Sequence, residues 1–189
     1  MKFFETGLQG VHIIELDPIS DERGSFVRTY CKNEFTEIGF EESFVQCNQS
    51  YNKKKGTWRG LHYQVPPWEE TKLIRCVSGR VLDFVVDLRK GSATYLKSFS
   101  VELSHKNMKM ILIPGGFAHG FLTLEPDSVL LYQHTQYFEK SAERGLRYDD
   151  PLLNVKMNIE LYGPIAVISD RDQSYEYLGK EFKGIEFKT

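Results

Sequence analysis

Two short segments of the chain place a histidine among glycines, a pattern that suits acid–base chemistry. Residues Gly56 to His62 read GTWRGLH, and residues Pro114 to Gly120 read PGGFAHG, with His119 as the second histidine. Glycine lets a backbone approach its neighbours closely, and an imidazole gains or loses a proton near neutral pH. We therefore expect both imidazoles to serve one polar pocket.

The two segments resemble the half-motifs of a cupin, a small β-barrel that points polar side chains into its own mouth. The first half-motif runs Gly-x-x-x-x-x-His-x-His and then Glu. Gly56 and His62 fit it, but Gln64 stands at the second histidine position. The second half-motif, Pro-x-Gly-x-x-His, ends at His119. Because one metal ligand is missing, the pattern favours acid–base chemistry over metal chemistry, and we expect neither a metal nor another cofactor.

Positive charge gathers around the first histidine. Arg59, His62 and Lys72 lie close together in sequence and flank the turn at Pro66-Pro67. Guanidinium and ammonium groups bind phosphate oxygens strongly. The segment therefore predicts a barrel mouth that accepts an anionic ligand such as a diphosphate.

Several other polar side chains have two interpretations each. His119 either donates to a phosphate or sugar oxygen or satisfies a turn. Tyr132 lies in an alternating apolar strand, where it either packs in the wall or donates a proton to a carbanion. We expect His134 on the opposite face of that strand. Near the end of the chain, Asp170 and Asp172 either lie in a surface turn, or one of them orients a histidine.

The rest of the sequence alternates between apolar and polar residues with the period of β-strands. Stretches rich in β-branched and aromatic residues are separated by turn signals. The clearest predicted strands are Val81–Leu88, Ser98–Leu103, Met110–Ile113 and Ser128–Tyr132. Such strands predict an all-β antiparallel barrel or jelly roll. Together with the cupin resemblance, this indicates one domain over residues 1–189, a cupin-type double-stranded β-helix.

Only a few short helices are expected. The best candidate is Lys32–Ile38, after a strand at Ser25–Tyr30, and a weaker turn lies near Ser141–Arg144. We interpret the tail from Gln173 onward as a short helix and a strand packed on the barrel.

Charge and cysteine content exclude several classes of partner. The formal net charge is −2 with both signs interspersed, so neither nucleic acid nor a membrane is an expected partner. No apolar run approaches the ~20 residues of a membrane span, and the N-terminus lacks the apolar core of a signal peptide.

Cys31, Cys47 and Cys76 form no CxxC pair. We interpret them as reduced and structural in a cytoplasmic protein, with a catalytic thiol as the alternative.

Motifs along nearly the whole chain resemble those of one family. They are D-x-R-G-x-F at Asp21–Phe26, Q-x-N-x-S at Gln46–Ser50, R-G-L-H-Y-Q at Arg59–Gln64, Lys72–Arg75, Val86–Ser92, Ile113–Phe121, Glu143–Gly145, Asp149–Pro151 and an S-x-K-D-like segment at Ser169–Asp172. In order and spacing they resemble the dTDP-4-dehydrorhamnose 3,5-epimerase family, the RmlC-like cupins of nucleotide-sugar metabolism.

The resemblance implies a reaction. A homodimer without a cofactor would convert dTDP-4-dehydro-6-deoxy-D-glucose to dTDP-4-dehydro-L-rhamnose, by enolisation and reprotonation at C3 and C5. The C4 ketone acidifies the hydrogens on both carbons, so the enzyme needs only a base, an acid and a group that holds the enolate.

The resemblance also implies residue roles. His62 would be the general base, with Asp172 orienting it. Tyr132 would be the general acid on the opposite face of the sugar, and Lys72 the cation near the 4-keto oxygen. The residues implied in substrate binding, some of them from a partner subunit, are Arg23, Phe26, Gln46, Asn48, Arg59, His119, Glu143 and Arg171.

The chain departs from the family pattern at a few positions. Glu70 lies two residues before Lys72, where the family usually has Gln. Arg28 replaces a frequent Glu, Phe138 replaces a frequent second Tyr, and Arg171 keeps the charge of the usual Lys. The first three bear on which nucleotide base and which sugar are bound, and we expect them to leave the fold and the proton chemistry untouched.

Three alternatives remain open. The first is an epimerase that acts at only one carbon, C3 or C5. The second is a metal-dependent cupin oxygenase, which Gln64 disfavours. The third is a non-catalytic binder of nucleotide sugars, which the reactive residues at 62, 72, 132 and 172 disfavour.

Overall fold

Alternating apolar and polar residues build the chain into strands. The computed structural model describes residues 1–179 and 181–187. In chain order, the strands are β1 (Lys2–Glu5), β2 (His12–Glu15), β3 (Ile19–Asp21), β4 (Gly24–Phe26), β5 (Gln46–Asn52), β6 (Trp58–Gln64), β7 (Lys72–Ser78), β8 (Arg80–Asp87), β9 (Ser98–Ser104), β10 (Met110–Ile113), β11 (Phe117–Thr123), β12 (Ser128–His134) and β13 (Glu143–Gly145). The helices are α1 (Lys32–Thr36), α2 (Val155–Glu160) and α3 (Asp170–Ser174).

The strands form two large sheets and a small hairpin. One sheet has the order β1-β2-β10-β7-β12-β5, and the other has the order β13-β6-β11-β8-β9. The hairpin is β3-β4. The strands within each sheet pair in antiparallel fashion. The predicted all-β jelly roll is therefore confirmed.

A core between the two sheets closes the barrel. It joins Ile74 and Leu130 of the six-stranded sheet to Val85 and Phe121 of the five-stranded sheet. Full burial of one such side chain stabilises the fold by about 1.5–3 kcal/mol. The polar residues that share these inward faces are consequently held on a rigid frame.

Two further apolar clusters cover the outer faces of the sheets. Phe35 of α1 packs with Leu73 and Met110 on the six-stranded sheet. On the five-stranded sheet, Trp58 and Phe84 belong to a cluster that includes residues from 146 to 159. Much of the outer face of each sheet is thus covered as well, and packing alone does not explain the polar residues at interior positions.

The helices and the hairpin differ from the prediction in detail. Helix α1 ends at Thr36, two residues before Ile38. The predicted strand Ser25–Tyr30 is paired only as far as Phe26. Helix α2 has no counterpart in the prediction, because its short sequence buries only Val155 and Ile159.

The C-terminal tail begins its helix earlier than predicted. Helix α3 starts at Asp170, where Ser169 caps it by accepting a hydrogen bond from the backbone of Asp172. Further on, Ile185 forms a parallel bridge with Arg89. The predicted terminal strand is therefore a single bridge in the described part of the tail, and residues 180, 188 and 189 lie outside it.

The cysteines are free thiols. Cys76 is buried, and burial raises the pKa of its thiol to about 11. A thiol in that state is a poor nucleophile. Among residues 1–179 and 181–187, no helix is both long and apolar enough to cross a membrane.

Candidate active site

A cavity of about 270 Å³ lies between the two sheets. Eight of the residues predicted to act in catalysis or binding line it. They are Asn48, Arg59, His62, Lys72, His119, Tyr132, Glu143 and Arg171.

The two sheets contribute different side chains to this cavity. His62 on β6 and His119 on β11 come from the five-stranded sheet, where they are paired in register. Lys72 on β7 and Tyr132 on β12 come from the six-stranded sheet. A ligand between the sheets therefore meets His62 and His119 on one side and Lys72 and Tyr132 on the other.

A backbone irregularity at Gly60 puts two cationic residues on one face. Arg59 and His62 are three positions apart, so a regular strand would point them to opposite faces. The register between β6 and β11 shifts here. A Cβ on Gly60 would lie 2.5 Å from the Cα of Gly120, so only glycine allows these strands to approach so closely.

His62 is held by a buried carboxylate. Its Nε2 lies 2.8 Å from Oδ1 of Asp172, whose Oδ2 accepts from the backbone N–H of Gly60 at 3.1 Å. Burial alone would raise the pKa of Asp172, but the hydrogen bonds from His62 and Gly60 and the nearby Arg171 charge outweigh it and lower that pKa. An ionised carboxylate only accepts, so Nε2 carries the proton, and Nδ1 has no hydrogen-bond partner among the described residues. The open choice between Asp170 and Asp172 is therefore decided by the geometry in favour of Asp172.

His119 has its own carboxylate. Its Nε2 lies 2.8 Å from Oδ2 of Asp83, a residue of β8 that is fully buried. Burial raises the pKa of Asp83, although His119 opposes the shift. The His119 ring also meets the Tyr132 ring edge-on, with centroids 6.2 Å apart. His119 is thus tied into the cavity wall and does not satisfy a turn.

Tyr132 carries a proton that is hard to remove. Its hydroxyl lies 3.4 Å from Oγ of Ser50. Burial raises the pKa of Tyr132 well above its usual value, and the bond to Ser50 only partly opposes this. The phenol therefore stays protonated at neutral pH, as a general acid must.

Lys72 is surrounded by acceptors. Its Nζ donates to the backbone carbonyl of His62 at 3.4 Å and forms an ion pair with Oε1 of Glu70 at 3.2 Å. The other carboxylate oxygen of Glu70 accepts from Nδ1 of His134 at 2.6 Å. Glu70 and His134 both line the cavity.

The prediction that His134 lies on the opposite face of its strand from Tyr132 was wrong. Tyr132 and His134 are two residues apart on one strand, so the period of two puts them on the same face. Their ring centroids are 6.0 Å apart and their planes differ by 18°.

Other residues of the site form its rim. Arg171 donates from Nη1 to Oε1 of Glu143 at 3.0 Å. Arg59 donates from Nε to Oδ1 of Asn52 at 2.7 Å. Because both guanidinium groups border the cavity, they suit phosphate or sugar oxygens.

Three predicted binding residues lie outside this cavity. Arg23 and Phe26 belong to the β3–β4 hairpin, where the side chain of Arg23 is 85% exposed and Phe26 is 77% exposed. Gln46 accepts from the backbone N–H of Phe138 at 3.2 Å, and Phe138 does line the cavity. Within one chain the structure does not bring the hairpin to the site.

Gln64, at the second histidine position of the cupin pattern, is fully engaged with backbone groups. Its Nε2 donates to the carbonyls of Trp68 and Tyr137, at 2.9 and 3.2 Å. Its Oε1 accepts from the N–H of Glu139 at 2.7 Å. Gln64 therefore anchors loops beside the cavity.

A family model described as dTDP-4-dehydrorhamnose 3,5-epimerase matches residues 5–180. The chain belongs to this family. The dTDP-4-dehydrorhamnose 3,5-epimerase of Shigella flexneri is 38% identical to it over 173 residues, which cover 91% of this chain and 93% of the relative.

Two solved structures extend the similarity to the fold. The dTDP-4-dehydrorhamnose 3,5-epimerase of Bacillus anthracis with TDP and PPi bound has a TM-score of 0.87 and 35% identity, and covers 94% of this chain and 99% of that one. The dTDP-6-deoxy-D-glucose-3,5-epimerase of Legionella pneumophila, in complex with dTDP-4-keto-L-rhamnose, has a TM-score of 0.88 and 31% identity. It covers 100% of this chain and 99% of that one. The predicted cupin-type double-stranded β-helix is therefore confirmed.

The sequence analysis missed some residues that line or support the cavity of this dTDP-4-dehydrorhamnose 3,5-epimerase family member. Asp83 was hidden in a predicted strand of apolar residues, although its position among inward-facing residues is a signal. Glu70 stood out only as a departure before Lys72. Ser50, in the Q-x-N-x-S motif, gave no local hint that it would reach Tyr132.

Proposed function

We propose that this isomerase epimerises dTDP-4-dehydro-6-deoxy-D-glucose at C3 and C5 to give dTDP-4-dehydro-L-rhamnose. The observation that carries the proposal is the pair of proton carriers on facing sheets, His62 held by Asp172 and Tyr132 with its raised pKa. Membership of the family supports the substrate.

The reaction begins with proton removal beside the ketone. Neutral His62 takes a proton from C3 or C5 through Nδ1, and the imidazolium that forms is stabilised by Asp172. The negative charge moves to the 4-keto oxygen. Lys72 donates to that oxygen, and one such preorganised donor is worth about 3–4 kcal/mol in the transition state.

Inversion follows from delivery on the other face. Tyr132 gives its proton to the carbon from the side of the six-stranded sheet, whereas return from His62 would restore the starting configuration. The enolate then collapses to the ketone. No step changes an oxidation state overall, so base, acid and cation account for the chemistry.

The diphosphate and sugar are held by the rim. Arg59 and Arg171 donate to phosphate and sugar oxygens, and the imidazole of His119 contacts the ligand from the cavity wall. Asn48 and the Arg171-bound Glu143 complete the polar surface of the cavity, and Gln46 holds the backbone of Phe138 beside it.

We also propose a homodimer in which the hairpin of one subunit serves the other. Ile19 and Phe26 of β3–β4 are 75% and 77% exposed, although both are large and apolar. A second subunit would cover them and bring Arg23 and Phe26 to a cavity. The single domain over residues 1–189 and a cytoplasmic location are part of the same proposal. The free cysteines fit a reducing compartment.

The deciding experiment is incubation with dTDP-4-dehydro-6-deoxy-D-glucose in deuterium oxide, followed by NMR of the sugar. Deuterium at both C3 and C5 with inverted configuration is the expected result. Label and inversion at one carbon would select a single-site epimerase. Binding without any label would indicate a binding protein.

A further inference from the structure

A second histidine–carboxylate pair faces the same cavity as His62 and Asp172. Nδ1 of His134 lies 2.6 Å from Oε2 of Glu70, against 2.8 Å for the first pair. Each side chain of the second pair is only 10% exposed. Because the carboxylate only accepts, Nδ1 of His134 carries a proton.

This second pair lies on the side of Tyr132. His134 follows Tyr132 by two residues on β12, and the two rings are 6.0 Å apart between centroids. Nε2 of His134 lies 3.2 Å from the side-chain nitrogen of Asn48 on β5. Both strands belong to the six-stranded sheet, whereas His62 belongs to the facing sheet.

Burying an imidazole and a carboxylate can cost more free energy than their mutual attraction returns. Further along the same face of the sheet, the buried residues Ile74 and Leu130 are apolar. Phe138 also lines the cavity, and its ring has no acidic proton. The barrel could have been closed at this point with an apolar residue, so packing alone does not account for the pair.

The proposed reaction needs two protons on one side. Inversion at C3 and at C5 requires a delivery to each carbon from the face away from His62. Tyr132 holds one acidic proton, so it would have to be reprotonated between two deliveries. A second acid on the same sheet would remove that demand.

We propose that His134, held by Glu70, is a second general acid that protonates one of the two carbons from the Tyr132 side. The proposal rests on the C3 and C5 epimerisation proposed above. In the imidazolium form, the Nε2–H bond breaks, its proton bonds to the carbon, and the electron pair of that bond stays on nitrogen. The neutral imidazole keeps its Nδ1–H on Glu70. Afterwards His62 releases its proton to water and His134 takes one up.

The charges around His134 suit this role. The Glu70 carboxylate favours the imidazolium, while the Lys72 ammonium on the far side of Glu70 opposes it. Burial alone would raise the pKa of Glu70, but Lys72 and His134 outweigh it and lower that pKa. Asn48 can hydrogen-bond to either form of His134. Its amide nitrogen donates to Nε2 when Nε2 is bare, and its amide oxygen accepts when Nε2 carries a proton.

The test is His134→Asn, assayed with the 4-keto sugar in deuterium oxide by NMR that resolves C3 from C5. The Asn side chain keeps a donor near the place of Nδ1 but has no acidic proton. Inversion at one carbon should fall by about 10²-fold or more, the usual worth of a general acid. Deuterium exchange at both carbons and inversion at the other carbon should persist. His105→Asn, at an exposed surface histidine, is the matched control and should behave as wild type.

Other outcomes overturn the proposal. Equal losses of exchange and inversion at both carbons would mean that the pair acts only through Lys72, and unchanged inversion would mean that it is not needed. A wild type that inverts only one carbon would also contradict it, since one acid would then suffice. A wild type that exchanges neither carbon would instead defeat the proposed function itself.

Glu70→Gln gives a second test in case His134→Asn does not fold, as judged by dTDP binding. The Gln side chain keeps an acceptor for His134 but removes the charge that favours the imidazolium. Inversion should fall at the same single carbon, by about tenfold, and exchange should persist. Loss at both carbons, or at neither, would contradict a role for the pair as an acid.

Discussion

The two histidine–carboxylate pairs of the cavity are built alike but leave different atoms available. His62 receives its carboxylate from α3, is 24% exposed, and has only Nε2 bound within the described residues. His134 receives its carboxylate from the turn before β7 and has both ring nitrogens engaged. A histidine with a bare nitrogen can take a proton from a substrate at once, whereas one with both nitrogens engaged must first give up a hydrogen bond. The comparison shows that the hydrogen-bond partners of its two ring nitrogens decide what an imidazole in this cavity can do.

The largest expected effect comes from removing the base. His62→Asn should lower both deuterium exchange and epimerisation by at least about 10²–10⁴-fold, because no enolate forms without proton removal. The loss of substrate C–H signal in deuterium oxide measures exchange directly.

Two further measurements on His62→Asn show whether the variant still folds and binds the nucleotide. dTDP binding and far-UV circular dichroism should match wild type, since the backbone of β6 is unchanged. If more than about a tenth of the exchange remained, well above the loss that a general base causes, His62 would be a ligand contact and another residue the base.

Removing the phenolic proton should distinguish the role of Tyr132 on the six-stranded sheet from that of His62 on the five-stranded sheet. Tyr132→Phe leaves the base intact, so deuterium should still enter the sugar when His62 returns a proton from its own face. Inverted product should fall by about 10²-fold, and the ratio of exchange to inversion should rise accordingly. Parallel progress curves for exchange and for product give this ratio.

If His134 is a second general acid, the prediction for Tyr132→Phe becomes specific to one carbon. If His134 serves one carbon, Tyr132→Phe should lose inversion at the other carbon only. A fall of exchange and inversion by the same factor would show that Tyr132 acts before the enolate forms, and the assignment of the two faces would be wrong.

A smaller effect on stability follows from the lowered pKa of Asp172. A carboxyl group whose pKa is lower in the folded state stabilises the fold above its unfolded pKa of ~3.9, and that stability is lost as pH falls through the folded pKa. Wild type should therefore have a higher Tm than Asp172→Asn at pH 6, and the difference should shrink below about pH 4.

The neighbouring carboxylate provides the control. Asp170→Asn removes a charge from the same helix but leaves the bond between Asp172 and His62 in place. Thermal melts at several pH values compare the three proteins. Equal behaviour of the two variants would mean that the pair with His62 contributes nothing to the pH dependence.

The smallest expected effect is that of metal removal. Gln64 occupies the second histidine position and is bound to backbone groups, so dialysis against a strong chelator should leave the epimerisation rate unchanged. Elemental analysis should find less than one metal ion per chain. Loss of activity that one divalent ion restores would contradict acid–base chemistry without a metal.

Local patterns predicted much of the fold from the sequence. The observed β10 has the predicted bounds, and β8, β9 and β12 begin or end within two residues of them. Strand alternation depends on near neighbours, so it is visible without the fold. Helix α2 escaped because a helix of one or two turns needs only two buried residues, which no periodicity reveals.

Some residues of the candidate site were predicted from the sequence and others were not. His62, Lys72 and Tyr132 were named from motifs and do line one cavity. The error at His134 could have been avoided, because a spacing of two on a strand places both residues on one face. Its contact with Glu70 could not have been found, since that depends on how the turn before β7 packs against β12.

The sequence by itself determined the strands, their inward residues and the family motifs, because each of these depends on residue type and short-range spacing. Only the tertiary structure decided three features of the site. The register shift at Gly60 turned Arg59 to the face of His62, α3 selected Asp172 over Asp170, and the closure of the barrel brought His134 to Glu70. All three depend on contacts between segments far apart in the chain, and such contacts exist only once both sheets have closed on each other.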